Sequence, residues 1–106
     1  QPFWTVTSTN TGTVAWALSG IAVTNDATIN TAFGTAAVTT ALAHSGTSND
    51  LMVSVESGAV TIAGSPAAGD CCFFQINRDV SADNQAGDAR LVGIKLFFTT
   101  DAGNDS

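Results

Sequence analysis

Turn-forming residues interrupt this chain roughly every 8 to 15 positions, and between them lie runs rich in Thr, Val, Ile and Phe. Gly, Asn, Asp and Ser supply the backbone angles and local hydrogen bonds of tight turns, while β-branched and aromatic side chains fit a pleated, half-buried surface. Segments this short and this poor in helix formers predict an antiparallel all-β domain. Strands are expected near 2–8, 13–24, 35–42, 50–56, 58–63, 71–78 and 90–99. Segment 26–33 is expected to be a loop with one short helical turn, N-capped by Asn25 or Asp26.

A chain of 106 residues has room for one hydrophobic core. Residues 1–106 are therefore expected to form a single β-sandwich domain of jelly-roll type. Gln1-Pro2-Phe3-Trp4 reads like a strand already under way, which gives the expectation that this is the C-terminal part of a longer chain. Charged residues make up 11% of the sequence, against about 25% in ordinary globular proteins, so a free surface would be weakly solvated and partners are expected to cover part of it. Three basic residues against nine acidic ones give a net charge of −6. That balance argues against direct nucleic-acid binding and against anionic membranes, both of which rely on clustered Lys and Arg. No apolar run approaches the roughly 20 residues that span a bilayer.

The parity of apolar residues assigns faces. In 13–24, Val14, Trp16 and Leu18 share one face whereas Ile21 and Val23 share the other, so a β-bulge or a bend between sheets is expected at Gly20. Leu51, Val53 and Val55 alternate with Met52, Ser54 and Glu56, and Val60 and Ile62 follow Ser57-Gly58, which reads as a hairpin. Segments 71–78 and 90–99 are expected to be central core strands, with Cys72, Phe74 and Ile76 inward on one and Val92, Ile94, Leu96 and Phe98 inward on the other. Their opposite faces carry Phe73 with Gln75, and Leu91 with Lys95 and Phe97, too apolar for plain solvent. On adjacent strands Phe73, Leu91 and Phe97 would make one patch, the candidate subunit interface.

Chemistry-bearing residues are few. His44 lies beside Ser45, but no nucleophile-elbow spacing accompanies them, and a surface-loop role is expected. Cys71 and Cys72 are sequence neighbours pointing to opposite faces of a strand, so they cannot form an ordinary disulfide and are expected to be buried free thiols. Asp79, Asp83 and Asp88 crowd one loop. Calcium is one reading, but Arg78 and Arg90 bracket the loop and an Arg–carboxylate fork is simpler. Glu56, the only glutamate, has no partner carboxylate at a glycosidase spacing. Trp4 and Trp16 fit core or interface packing better than a sugar-stacking platform. Segment 65–70, with Pro66, Gly69 and Asp70, reads as a turn. These residues predict no enzyme, no cofactor and no metal.

The stretches Ala63-Gly64-Ser65-Pro66-Ala67-Ala68-Gly69-Asp70, Phe73-Phe74-Gln75-Ile76-Asn77-Arg78-Asp79 and Gly87-Asp88-Ala89-Arg90-Leu91-Val92-Gly93-Ile94-Lys95-Leu96 resemble a family of small virion-associated proteins of tailed bacteriophages and prophages. Val14-Ala15-Trp16-Ala17-Leu18 and segment 26–34 fit the same pattern, and 97–106 resembles that family's usual C-terminus. Cys71-Cys72 departs from its more common aliphatic or aromatic pair. The resemblance implies a virion location, in head decoration, head fibre, tail or tail fibre, and transfers no site residue. The combined expectation is a capsid-decoration or tail-fibre component assembling with copies of itself, as a homotrimer, and with other virion proteins. The rival expectations are a bacterial or archaeal surface-filament subunit and a sugar-binding host-attachment module.

Overall fold

The computed structural model describes residues 1–99. Nine strands and no helix occur among them: β1 (Pro2–Thr5), β2 (Thr13–Val14), β3 (Trp16–Val23), β4 (Ala37–Val38), β5 (Leu42–Ala43), β6 (Met52–Val53), β7 (Ile62–Ala63), β8 (Cys71–Arg78) and β9 (Arg90–Ile94). They form three sheets, ordered β6-β1-β9, β2-β5, and β4-β3-β7 with β8 on β3. All pairings are antiparallel except β3 with β7, which is parallel. The expectation of an all-β domain with antiparallel strands holds, the β3–β7 contact being the parallel exception.

β3 organises its sheet. β8 pairs with it along all eight residues, from Trp16↔Arg78 to Val23↔Cys71, in unbroken register. The opposite edge of β3 is shared by β4, at Ala17 and Leu18, and β7, at Gly20 and Ile21. Gly20 is therefore neither bulge nor corner. The change of parity at Ser19-Gly20 arises because β3 is buried on both faces: Trp16 belongs to the core on one side, and Ile21 and Val23 are buried on the other. A glycine sits at 20 because a Cβ there would stand 3.2 Å from the Phe74 ring. Gly64, at φ +87°, lies so close that a Cβ would strike the Ala22 carbonyl and crowd the Ile21 side chain.

The chain changes sheet at Ala15, between β2 and β3. Its N–H donates to Asp83 Oδ2 at 3.3 Å and its carbonyl accepts from Asp79 N–H at 2.9 Å, so the backbone groups freed by the switch are satisfied by the acidic loop. The register irregularity falls elsewhere, between β1 and β9. Phe3 opposes Gly93 and Trp4 opposes Leu91, leaving Val92 as the extra residue of a bulge. This bulge breaks the face expected to unite Val92 with Ile94, Leu96 and Phe98. Leu91 and Ile94, opposite Trp4 and Pro2, take the inner face instead.

Segments 50–56 and 58–63 make no hairpin. β6 pairs with β1 and β7 with β3, in different sheets. Segment 26–33 contains no helical turn: Ala27 N–H donates to the Thr24 carbonyl at 3.1 Å, and Asp26 holds a left-handed φ of +68°. The expected strand 90–99 ends at Ile94, and the resemblance of residues 100–106 to a family C-terminus lies outside the described residues.

In the core cluster Trp4, Val6, Val14 and Trp16 are buried together, with Leu42, Met52, Ile76 and Ala89 packed against them. Trp4 is fully buried, and its indole N–H donates to Ser54 Oγ at 2.9 Å. Ser54 is equally buried and shares the inner face with Met52, which opposes Trp4. The inward parity of this segment is thus the partly polar one. Leu51, Val53 and Val55 point outward and are exposed. Beside Leu18 and Phe74 the sheets leave an open groove.

Candidate assembly surface

The groove takes Leu18 and Phe74 from the β3–β8 pair, Val60 and Ile62 from the β7 segment, and Leu96 and Phe98 from the chain after β9. Phe98 is 80% exposed and Phe74 is 38% exposed. The inward orientation expected for Phe74 and Ile76 on β8 holds, since Ile76 packs on the core and Phe74 lies over Gly20. The expected burial of β8 and of the last strand as central core strands does not. Among the described residues β8 has one neighbouring strand, β9 lies on β1, and residues 95–99 line the groove. Glu56 and Lys95 stand in the groove lining with Gln1, Ser57 and Thr99, bringing opposite charges to a mainly apolar surface. Lys95 Nζ also lies 5.9 Å from the Phe3 ring centre and 6.0 Å from that of Phe97, within cation–π range of both.

Phe73, Leu91 and Phe97 are all exposed, at 41%, 38% and 55%. They do not form one strand-paired patch, because β8 lies on β3 and β9 lies on β1. Phe97 lines the groove, Leu91 shares the face of Trp4, and Phe73 sits opposite Ile21 on the outer side of β8.

Other chemistry-bearing residues take structural positions. Arg78 forks onto Asp83, with Nε to Oδ2 at 2.8 Å and Nη2 to Oδ1 at 2.9 Å. The same guanidinium donates to the Gly87 carbonyl at 2.8 Å and the Gln85 carbonyl at 2.7 Å. The loop oxygens that a cation would need are thus wrapped around the Arg78 cation. The hydrogen bonds from Arg78 hold the Asp83 carboxyl below the usual carboxylate range, against the opposing effect of burial, and Asp83 in turn raises the Arg78 pKa. Arg90 takes no part in this fork.

His44 is not a surface-loop residue. It is 3% exposed, stacked at a tilt 6.1 Å from Trp4, with Nδ1 3.0 Å from the Asn10 carbonyl and 3.2 Å from Gly46 N–H. Ser45 turns away from it and donates to Asp50 Oδ2 at 2.8 Å, so a Ser–His–Asp relay is not assembled. Cys71 and Cys72 are exposed rather than buried, because nothing packs over that end of β8. Trp4 and Trp16 are core residues and offer no stacking platform. Among the described residues no three His, Cys, Asp or Glu side chains converge as metal ligands, and no helix is long and apolar enough to cross a membrane.

Sequence reasoning missed the outward stripe of Leu51, Val53 and Val55 and the single-sided pairing of β8. Alternation reveals two faces but not which one is covered, and polar Ser54 in the inward set concealed the answer. Comparison with family models, curated proteins and solved structures finds no match.

Proposed function

We propose that the protein is a structural subunit of a bacteriophage particle, a capsid-decoration or tail-fibre component with a jelly-roll-like sandwich fold that works by packing against copies of itself and other virion proteins. The observation that carries this reading is the amount of apolar surface left open. The chain exposes 6730 Å², against about 5500 Å² for a compact monomer of its mass. Its radius of gyration is 16.1 Å, against about 13 Å expected. Large apolar side chains stand open with no solvent rationale: the groove with Phe74 and Phe98, the stripe of Leu51, Val53 and Val55, and Phe73 on β8. Monomeric soluble proteins rarely leave such patches open, and a weakly charged surface does little to keep them dispersed. The resemblance of 63–79 and 87–96 to small virion proteins supplies the phage setting.

Mass spectrometry of purified virions, run beside preparations of cell-surface filaments, tests the proposal. Recovery of the chain at stoichiometric levels in virions is expected. Recovery in filaments alone would replace the reading with that of a surface-filament subunit, whose β-domains also polymerise through open strands. A sugar-binding role is disfavoured by the burial of both tryptophans.

A further inference from the structure

The longest strand pairing among the described residues leaves its outer side without a partner strand. β8 runs eight residues beside β3 without a bulge, and among the described residues no other strand pairs with its other edge, where only the Arg78 carbonyl at the end is taken, by Asn77 Nδ2 at 3.3 Å. Sheet edges in soluble proteins are normally guarded by a lysine, a proline, a bulge or a covering loop. Between Cys71 and Asn77 there is no charged residue and no proline, and the side chains on both faces are exposed apart from half-buried Ile76. A flat, apolar, unguarded edge is a template for another strand.

We propose that β8 pairs edge to edge with β8 of a second copy, antiparallel about a two-fold axis at Phe74, making one continuous sheet across two subunits. This inference rests on the self-assembly reading above and specifies its geometry. Two features select a second copy as the occupant. The groove lined by Phe74 also carries Glu56 and Lys95, neither in an ion pair within the described residues, opposite charges that can pair across a two-fold contact. The excess exposed surface, on the order of 1000 Å², suffices for the roughly 800 Å² that each partner contributes to a standard interface. With Phe74 on the axis, Cys71 of one copy stands opposite Asn77 of the other, and Phe73 opposite Gln75. Two symmetry-related contacts close the assembly at a dimer, which then serves as the unit for larger structures.

The register supplies its own probe. Opposed residues of an antiparallel pair have Cα atoms about 4.5 to 5.5 Å apart, within the span of a disulfide. The full chain carrying Cys72→Ser and Asn77→Cys is expected to cross-link under mild oxidation through Cys71 and the cysteine introduced at 77. It should run at twice the 10.7 kDa mass until reduced, while Cys72→Ser alone stays uncross-linked. A guarded strand, Phe73→Lys with Gln75→Lys, changes two exposed side chains and is expected to keep its circular dichroism spectrum while light scattering falls from dimer to monomer mass. An unaltered protein that oligomerises, yet does not cross-link at 71 and 77 and ignores the guarding lysines, overturns the β8 pairing and leaves self-assembly standing. A three-fold mass overturns the two-fold axis. An unaltered protein that stays monomeric at every concentration overturns both readings.

Discussion

Gly20 and Phe74 face each other across the β3–β8 ladder, and the ring of one occupies the space that the other's missing side chain leaves: a Cβ on Gly20 would stand 3.2 Å from two ring carbons. This cross-strand fit ties the only strand that lies on β8 among the described residues to the aromatic residue that begins the groove.

Gly20→Val should therefore displace Phe74 and destabilise the fold by roughly 1 to 3 kcal/mol, the usual cost of overpacking. In a Phe74→Ala background the same substitution should cost less, with a coupling of about 0.5 to 3 kcal/mol. Equal costs in both backgrounds by urea unfolding would show that the ring does not depend on the glycine.

Ser54→Ala should cost about 1 to 3 kcal/mol, because it strands the fully buried Trp4 indole N–H without an acceptor. Trp4→Ala should cost roughly 3 to 5 kcal/mol, comparable with the whole stability of a small domain. Thermal melts of the two variants give the ranking.

Asp83 sets an acid limit on stability. Its carboxyl is held below its ordinary value by Arg78, so the folded state binds its proton less readily than the unfolded chain. The stabilisation is present above the unfolded pKa of about 3.9 and is lost as pH falls through the lower, folded value. Asp83→Ala should remove roughly 3 to 5 kcal/mol, towards the lower figure because Arg78 keeps some solvent contact. Melting temperatures of the parent and Asp83→Asn should converge at low pH and separate above it; a constant gap would assign the stabilisation elsewhere.

His44→Ala should destabilise the fold by about 1 to 3 kcal/mol, as it removes a buried ring from beside Trp4 and the one hydrogen bond that Nδ1 makes, to the Asn10 carbonyl or from Gly46 N–H according to its tautomer. Val55→Thr, on the outward stripe at 66% exposure, should change stability by less than about 0.5 kcal/mol. Denaturant curves for the two variants that coincide would return His44 to the surface.

The strand content, the bounds of β8 and the Arg78 fork were legible in the sequence, because each depends on residues close in the chain: an alternating run, or an Arg five positions from its carboxylate. Strand partnership was not. Val53 and Ile62 stand on either side of a turn-like Ser57-Gly58, yet one strand pairs with β1 and the other with β3. Nothing local to residues 57–58 encodes that choice, which depends on Trp4 needing Ser54 beneath it. His44 escaped for the same reason, since its neighbours Asn10 and Trp4 are distant in sequence. The candidate assembly surface was legible as a composition, too few charges for a free surface, but not as an address.

The pairing of β1 with β9 has a consequence for how the molecule comes into being. Pro2 meets Ile94 and Thr5 meets Arg90, so the strand that carries Trp4 waits for a partner far along the chain. Closing so long a loop must precede any gain from the ladder, and chains dominated by distant pairings fold in milliseconds to seconds rather than microseconds. Throughout that interval Trp4 lacks the β9 side of its shelter while β3 and β8, separated by fewer residues, are free to pair first. A growing chain would thus present its unguarded β8 edge before its core is complete, and the order of events on the ribosome, more than the final stability, would decide whether neighbouring copies meet as folded subunits or as tangled strands.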